Sequence, residues 1–437
     1  MKIDWSRREF LTWSGAALGF ATAAINRSCG DAPTQVPVTG ASDTRLQPLD
    51  DLMTGFLEKH RLPGAALAVG RSGKVLYSRG FGWADVEAKK PVQPNSLFRL
   101  ASISKSITAV VVMRAIEQQK LSLDDKLLPR LGKIVPAEIP DARWRDITLQ
   151  HLLQHTGGWD RDKSFDAMFR AVPFAQELGV DPPAKPEHII QVILQKPLDF
   201  TPGERYAYSN FGYCLLGRVL EQVDEVSYFE SVWRRVLQPL GLKRLSLGRT
   251  LKEFAAPDEV MYYGAPGTTG PSVFAPNVGQ PVSVPYGAWH LEAMDAHGGW
   301  IGNASDLVRL AMSLDPKAKR PLLTAASLKS MWARPTGLAG HEPDGKTKDL
   351  YYGLGWLVRT LPKEDKFNVF HTGSLEGTST ILVRRHDGFC WAALFNSRNG
   401  FNPETMKYDI LPSKEIDGAI HQAVDSVTTW PNKDVTS

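Results

Sequence analysis

The sequence predicts an α+β fold: an antiparallel sheet flanked by helices, with a helical lobe inserted between its first and last strands. Three observations carry this. Apolar segments punctuated by turn residues stand near both ends of the chain, "GAALAVG" and "KVLYSRGFGWA" early, "NVFHTGS", "TSTILVRRHDG" and "FCWAALFNS" late. The stretch between, from about 120 to 250, breaks into short helical pieces at Pro and Gly. No internal repeat is found. Pairing the two sets of strands in one sheet places a cleft between the sheet and the lobe.

Each element follows from local pattern. In residues 1–24, Arg7 and Arg8 precede the apolar run "TWSGAALGFATAAI", which resembles a twin-arginine export signal ending at Ala21-Thr22-Ala23. The run is too short and too rich in Ala and Gly to span a bilayer, so the mature chain is expected to be exported without an integral span, to the periplasm or beyond. Cys29 offers an alternative lipid anchor, although Asn26-Arg27-Ser28 is a poor approach to one. Residues 25–45 read as a linker, and 46–430 as the folded domain, with the helical lobe at about 118–300. "LDDLMTGFLEKH" has helical periodicity, and Arg71-Ser72-Gly73 marks a hairpin turn. An apolar helix begins near Ser102. Residues 254–300, rich in Pro, Gly and Ser and without a period, read as a long functional or mobile loop. Ser305 is expected to cap the helix "SDLVRLAMSL", His386-Asp387-Gly388 to turn the last two strands, and 412–427 to form a closing helix.

Composition narrows the function classes. The 437 residues carry 51 basic and 47 acidic side chains, a net charge of +4 with neither sign clustered, which argues against a nucleic-acid or polyanion partner. Cys214 and Cys390 lie in apolar runs and read as buried small side chains. There is no CxxC or Cys/His cluster, "HLLQH" lacks the glutamate of a zinc-protease helix, and no Gly-rich phosphate loop follows a strand. Neither metal nor cofactor is expected. His297, beside two glycines, reads as a packing residue.

Three stretches carry candidate chemistry. In "SISK", Ser102 and Lys105 are three apart and share a helix face. A serine hydroxyl needs a base within reach, and a lysine becomes one when burial or a neighbouring cation lowers its pKa. A helix start can also offer free N–H groups to an oxyanion. The ordinary alternative is a serine cap followed by a surface lysine. In "TPGERYAYSNFGYCLLG", Tyr208 and Asn210 alternate and can point the same way; tyrosine can relay a proton, and asparagine can bond a substrate amide and a lysine together. His-Thr-Gly occurs twice. The copy at His155 ends a helical stretch where Gly157 and Gly158 are expected to cap, while the copy at His371, Thr372 and Gly373 sits among strands, where an edge can align with an extended substrate. The second copy is therefore the candidate, with the Ser374 N–H as an oxyanion donor.

Together these residues resemble the serine β-lactamase and penicillin-binding protein superfamily, its class C-like branch, in which S-x-x-K, Y-x-N and K/H-[TS]-G occur in this order. "ITLQHLLQHTGG", "HGGWIGNASDL" and "YGLGW" add to the resemblance, which covers about residues 45–425. It implies a β-lactamase/transpeptidase-like fold. It also implies that Ser102 attacks a carbonyl, Lys105 and Tyr208 move protons, Asn210 and Thr372 hold substrate, and the Ser102 and Ser374 amides bind the oxyanion. One departure is His371, where true class C enzymes have lysine, so recognition of a substrate carboxylate is expected to weaken. The reading favoured is an exported serine hydrolase acting on a small-molecule or peptide-like amide. Its alternatives are a carboxylesterase of short acyl esters, a β-lactamase proper, and a non-catalytic peptide binder. The sequence leaves the oligomeric state open.

Overall fold

The computed structural model describes residues 36–362 and 366–436, so the expected export signal, Cys29 and the start of the linker lie outside the described residues. The two ends of the chain meet in one antiparallel sheet. Its strands are β1 (Val38–Thr39), β2 (Gly64–Arg71), β3 (Lys74–Asp85), β4 (Leu350–Tyr352), β5 (Leu357–Thr360), β6 (Phe367–Leu375), β7 (Thr378–Arg384) and β8 (Cys390–Phe395). They lie in the order β1-β3-β2-β8-β7-β6-β5-β4, with Lys90–Pro91 added beside β3 to make nine strands. The early strands meet the late ones through β2 and β8, where Leu67 faces Ala393. Residues 36–45, expected as linker, thus contribute an edge strand, Val38 pairing with Phe81.

The sheet strands are apolar on both faces because both faces are covered. Ala65, Leu67 and Val69 of β2, Ile381 and Val383 of β7, and Trp391, Ala393 and Phe395 of β8 join one cluster. Their partners there are Met53 and Phe56 of α1 (Gln47–His60) and Ile420 and Val424 of a closing helix (Asp417–Ser426). The alternate residues Ala66, Ala68, Leu382, Ala392 and Leu394 join the second cluster, with α2 (Ile103–Glu117) and the lobe. Period-2 alternation thus divides each strand between two cores. Phe395 is fully buried, so its truncation to Ala would cost about 3–5 kcal/mol. The β2–β3 hairpin turns on Ser72 and Gly73, both at positive φ (52° and 78°), which matches the right-handed twist of the strands.

The lobe is assembled from short helices, including Leu149–Leu153, Ala171–Leu178, Pro186–Ile193 and α3 (Asn210–Asp224). Two expected caps are displaced. The helix Ala304–Ser313 is capped by Asn303, whose extended backbone lets its side chain accept from the Asp306 N–H, and Ser305 instead bonds Ser78 Oγ at 2.8 Å. After Leu149–Leu153 the left-handed position falls on His155 (φ 58°) and not on Gly157, because the Thr156 N–H closes the turn on the His151 carbonyl at 2.8 Å. Residues 254–300 hold more regular structure than a period-free loop suggests. Thr269–Pro271 pairs with Pro281–Ser283, and Trp289, Leu291 and Met294 bury a small apolar cluster. Among the described residues, no helix is long and apolar enough to cross a membrane.

Candidate active site

Ser102 stands at the N-cap position of α2 yet caps nothing: its backbone is helical (φ −66°, ψ −8°) and its side chain bonds no N–H of the first turn. Ala101 before it lies in the left-handed region (φ 47°), an uncommon conformation for a residue with a Cβ. The freed hydroxyl is met by two groups, Tyr208 OH donating at 2.7 Å and Lys105 Nζ at 3.2 Å. The spacing of three along α2 puts Lys105 under Ser102, and the apolar run that follows buries it fully. Burial pushes the amine well below its ordinary pKa; the nearby Asp166 opposes this and Arg161 adds to it.

The amine's other contacts decide what it can do. Nζ donates to Asn210 Oδ1 at 2.7 Å and to the His297 carbonyl at 2.8 Å, both of which only accept. An uncharged amine has two N–H bonds and one lone pair. In that uncharged form, with both hydrogens given to these oxygens, the lone pair is left for Ser102 Oγ 3.2 Å away. This is the geometry of a base aimed at a nucleophile.

Ser209 brings Tyr208 and Asn210 to the site. Its extended backbone caps α3, with its hydroxyl accepting from the Gly212 N–H, so Asn210 begins the helix while Tyr208 precedes it. Burial holds the Tyr208 phenol well above its usual pKa, hence protonated. The Arg161 guanidinium lies 4.9 Å from its ring centre. Asn210 Nδ2 donates to Asp166 Oδ2 at 2.6 Å.

Strand β6 supplies the third side. Its ladder with β5 ends where Phe370 meets Leu357, whereas with β7 it continues through Leu375. His371 to Leu375 therefore form a strand segment paired with β7 alone in this sheet. Gly373 lets this segment pass close to the chain just before α2: a Cβ there would sit 2.1 Å from the Leu100 carbonyl oxygen and 2.3 Å from Thr380 Oγ1. His371 is buried, with Nδ1–H donating to its neighbour Thr372's carbonyl at 2.7 Å and Nε2 accepting from Tyr352 OH at 2.8 Å. Burial pushes its pKa down to about 3, so it is neutral near pH 7.

A cleft of about 640 Å³ opens here, lined by Ser102, Tyr208, Tyr352, His371, Thr372 and Ser374. A second hollow of about 230 Å³ reaches from Ser102 past Asn210 to Phe169, Trp289 and Met294. Of the arginines on the cleft, Arg205 pairs with Asp160 and Arg398 with Glu376, while Arg161 has no ion-pair partner among the described residues. The structure thus brings Ser102, Lys105, Tyr208, Asn210 and the His371–Ser374 segment to one opening. Sequence reasoning missed four contributors: Asp166, the His297 carbonyl, Tyr352, and the His155 ring, which packs 4.3 Å from Tyr208 and accepts from the Ser209 N–H. His155 repeats the His-Thr-Gly tripeptide, and His297 and Tyr352 open the stretches "HGGWIGNASDL" and "YGLGW", whereas Asp166 carried no signal. No cluster of His, Cys, Asp or Glu able to hold a metal occurs among the described residues.

Compared with known proteins, the chain matches the Beta-lactamase family over residues 49–411. It is 27% identical over 344 residues to penicillin-binding protein 4* of Bacillus subtilis, covering 78% of this chain and 69% of that one. It is 32% identical over 268 residues to a probable fimbrial assembly protein, FimD, of Dichelobacter nodosus, covering 61% of each. The octameric penicillin-binding protein homologue from Pyrococcus abyssi superposes with a TM-score of 0.61 at 25% identity, over 83% of this chain and 76% of that one.

Proposed function

The chain belongs to the beta-lactamase family and is a serine hydrolase; from this premise we propose that it cleaves amide bonds in peptide-like substrates through an acyl-enzyme on Ser102. The observation that carries the reading is the Lys105 amine, fully buried, 3.2 Å from Ser102 Oγ and held at 2.7 and 2.8 Å by two oxygens that only accept. In this scheme Ser102 Oγ attacks the substrate carbonyl as its proton passes to Lys105. The Ser102 and Ser374 main-chain N–H groups stabilise the oxyanion. Collapse breaks the C–N bond, and the departing amine takes a proton from Lys105 relayed through Tyr208. Water then attacks the acyl-enzyme by the reverse proton path. Asn210 and Thr372 hold the substrate. The edge of His371–Leu375 left unpaired by β5 supports an extended, peptide-like substrate, which can add to it as a strand does.

A neutral His371 supplies no fixed positive charge to a β-lactam carboxylate, which argues against efficient penicillin turnover. Export, proposed from Arg7-Arg8, delivers the enzyme to cell-wall peptides. The test is intact-mass detection of a fluorophosphonate adduct, with turnover of D-amino-acid amides set against p-nitrophenyl esters. Ser102→Ala and Lys105→Ala should each lower the rate at least about a thousandfold. Ester turnover alone would favour a carboxylesterase. No adduct at Ser102 would favour a non-catalytic binder.

A further inference from the structure

Asn210 is symmetric enough in shape to sit either way round, and only one way suits Lys105. We infer that Asp166 is a positioning residue that holds the Asn210 side-chain amide with Oδ1 toward Lys105, and so keeps the amine aimed at Ser102. This rests on the acyl-enzyme reading above.

Burial raises the Asp166 pKa, against the lowering by its Asn210 and Met168 hydrogen bonds and by Arg161 and Lys105. Ionised, the carboxylate only accepts, and its Oδ2 takes the Asn210 Nδ2 hydrogen at 2.6 Å. The other oxygen, Oδ1, accepts from the Met168 N–H at 3.1 Å, where Asp166 caps the short turn Ala167–Phe169, so the carboxyl is itself held by main chain. If the Asn210 amide turned over, its NH2 would face the N–H groups of Lys105 and its oxygen would face the carboxylate. Both contacts would be repulsive. The amine would then lose one of its two acceptors, leaving the His297 carbonyl alone to fix it.

Asp166 does this without touching the reaction. It lines neither hollow at Ser102 but a third, of about 210 Å³, behind Asn210 among Trp159, Phe165 and Phe211. Its charge nonetheless reaches Lys105. Around that amine stand Asp166 and Arg161 from the same lobe segment, with opposite effects, and Tyr208, His155, His297 and His371 from the other walls; the Tyr213 ring closes the base. An anion at 166 favours the protonated amine, so removing it should extend activity toward lower pH.

The experiment uses Asp166→Leu, which has no acceptor, and Asp166→Asn, whose one amide oxygen can still take the Asn210 hydrogen while giving up the Met168 N–H. Fluorophosphonate acylation of Ser102 is followed against pH, with kcat and KM on a D-alanyl p-nitroanilide. Asp166→Leu should lower kcat and the acylation rate about tenfold to a hundredfold, with KM changed less than about twofold. Asp166→Asn should keep most of kcat while its acid limb moves to lower pH. The inference is overturned if Asp166→Leu acylates with the rate and profile of the parent, or if Asp166→Asn falls as far as Asp166→Leu with its acid limb unmoved. Should Asp166→Leu fail to fold, the acid limb of Asp166→Asn decides alone. An unlabelled parent enzyme would sink the acyl-enzyme reading instead. In that event crystal structures decide positioning: Asn210 must withdraw from Lys105 Nζ in Asp166→Leu, and an unchanged 2.7 Å contact overturns it.

Discussion

The tripeptide His-Thr-Gly occurs at 155–157 and at 371–373, and the two copies adopt different backbones around one site. The first follows a helix, with His155 in the left-handed conformation (φ 58°); the second lies in strand β6, paired with Leu382, Ile381 and Thr380. Both imidazoles are buried and held neutral, yet by different partners. His155 packs among Tyr208, Tyr213 and Tyr352, while His371 bonds Tyr352 OH. Tyr352 thus touches both. The first copy shapes the wall behind Tyr208, whereas the second borders the cleft. Identical residues acquire different roles because a helix end exposes its N–H and C=O groups along an axis and a strand exposes them sideways.

The largest contrast should come from the glycines. Gly373→Ala forces a Cβ against the Leu100 carbonyl and Thr380, and a shift of β6 should lower kcat/KM about a hundredfold or more. Gly157→Ala meets the Trp159 ring, a side chain and not main chain, at a position outside the cleft lining, so its loss should be several-fold smaller in the same assay; equal losses would erase the distinction. Next, His155→Ala removes packing beside Tyr208 and strands the Ser209 N–H. It should cost about 2–3 kcal/mol in denaturant unfolding, more than the loss of His371. His371→Lys should tighten binding of penicillin-like carboxylates about tenfold in competition with a reporter substrate. Unchanged affinity would mean that this side chain does not address the ligand's carboxylate.

The last contrast is with pH. Folding lowers the His371 pKa from about 6.5 to about 3, so the unfolded chain binds the proton first as pH falls. Stability associated with neutral His371 is complete above the unfolded value and declines as pH drops from there toward 3, by up to about 1.4 kcal/mol per unit. His371→Gln should therefore show a smaller fall in Tm between pH 7 and pH 5 than the parent.

Much of this site could be read along the chain because its key spacings are local. Ser102 and Lys105 are one helical turn apart, and Tyr208 and Asn210 flank a helix cap, so local geometry already aims each pair. Asp166 carried no such mark: it stands in "RDKSFDAMF" like any surface acid, and its partner Asn210 is 44 residues away. The His297 carbonyl is illegible in principle, since every residue has one. Cap choice differs at Ser305, because Asn303 two residues earlier offers an equivalent acceptor, and at Gly157, because the Thr156 N–H closes the turn on the His151 carbonyl.

Alternating apolar residues and turn residues determined, by sequence alone, that strands from both chain ends would join in one sheet flanked by helices, and S-x-x-K determined which serine could meet an amine. Only the tertiary structure decided that the amine would be buried against two carbonyl acceptors, and that Asp166 would stand behind Asn210. The reason is physical. Periodicity and spacing act over one turn or one pleat, whereas desolvation and donor–acceptor matching depend on groups that only the closed fold brings together.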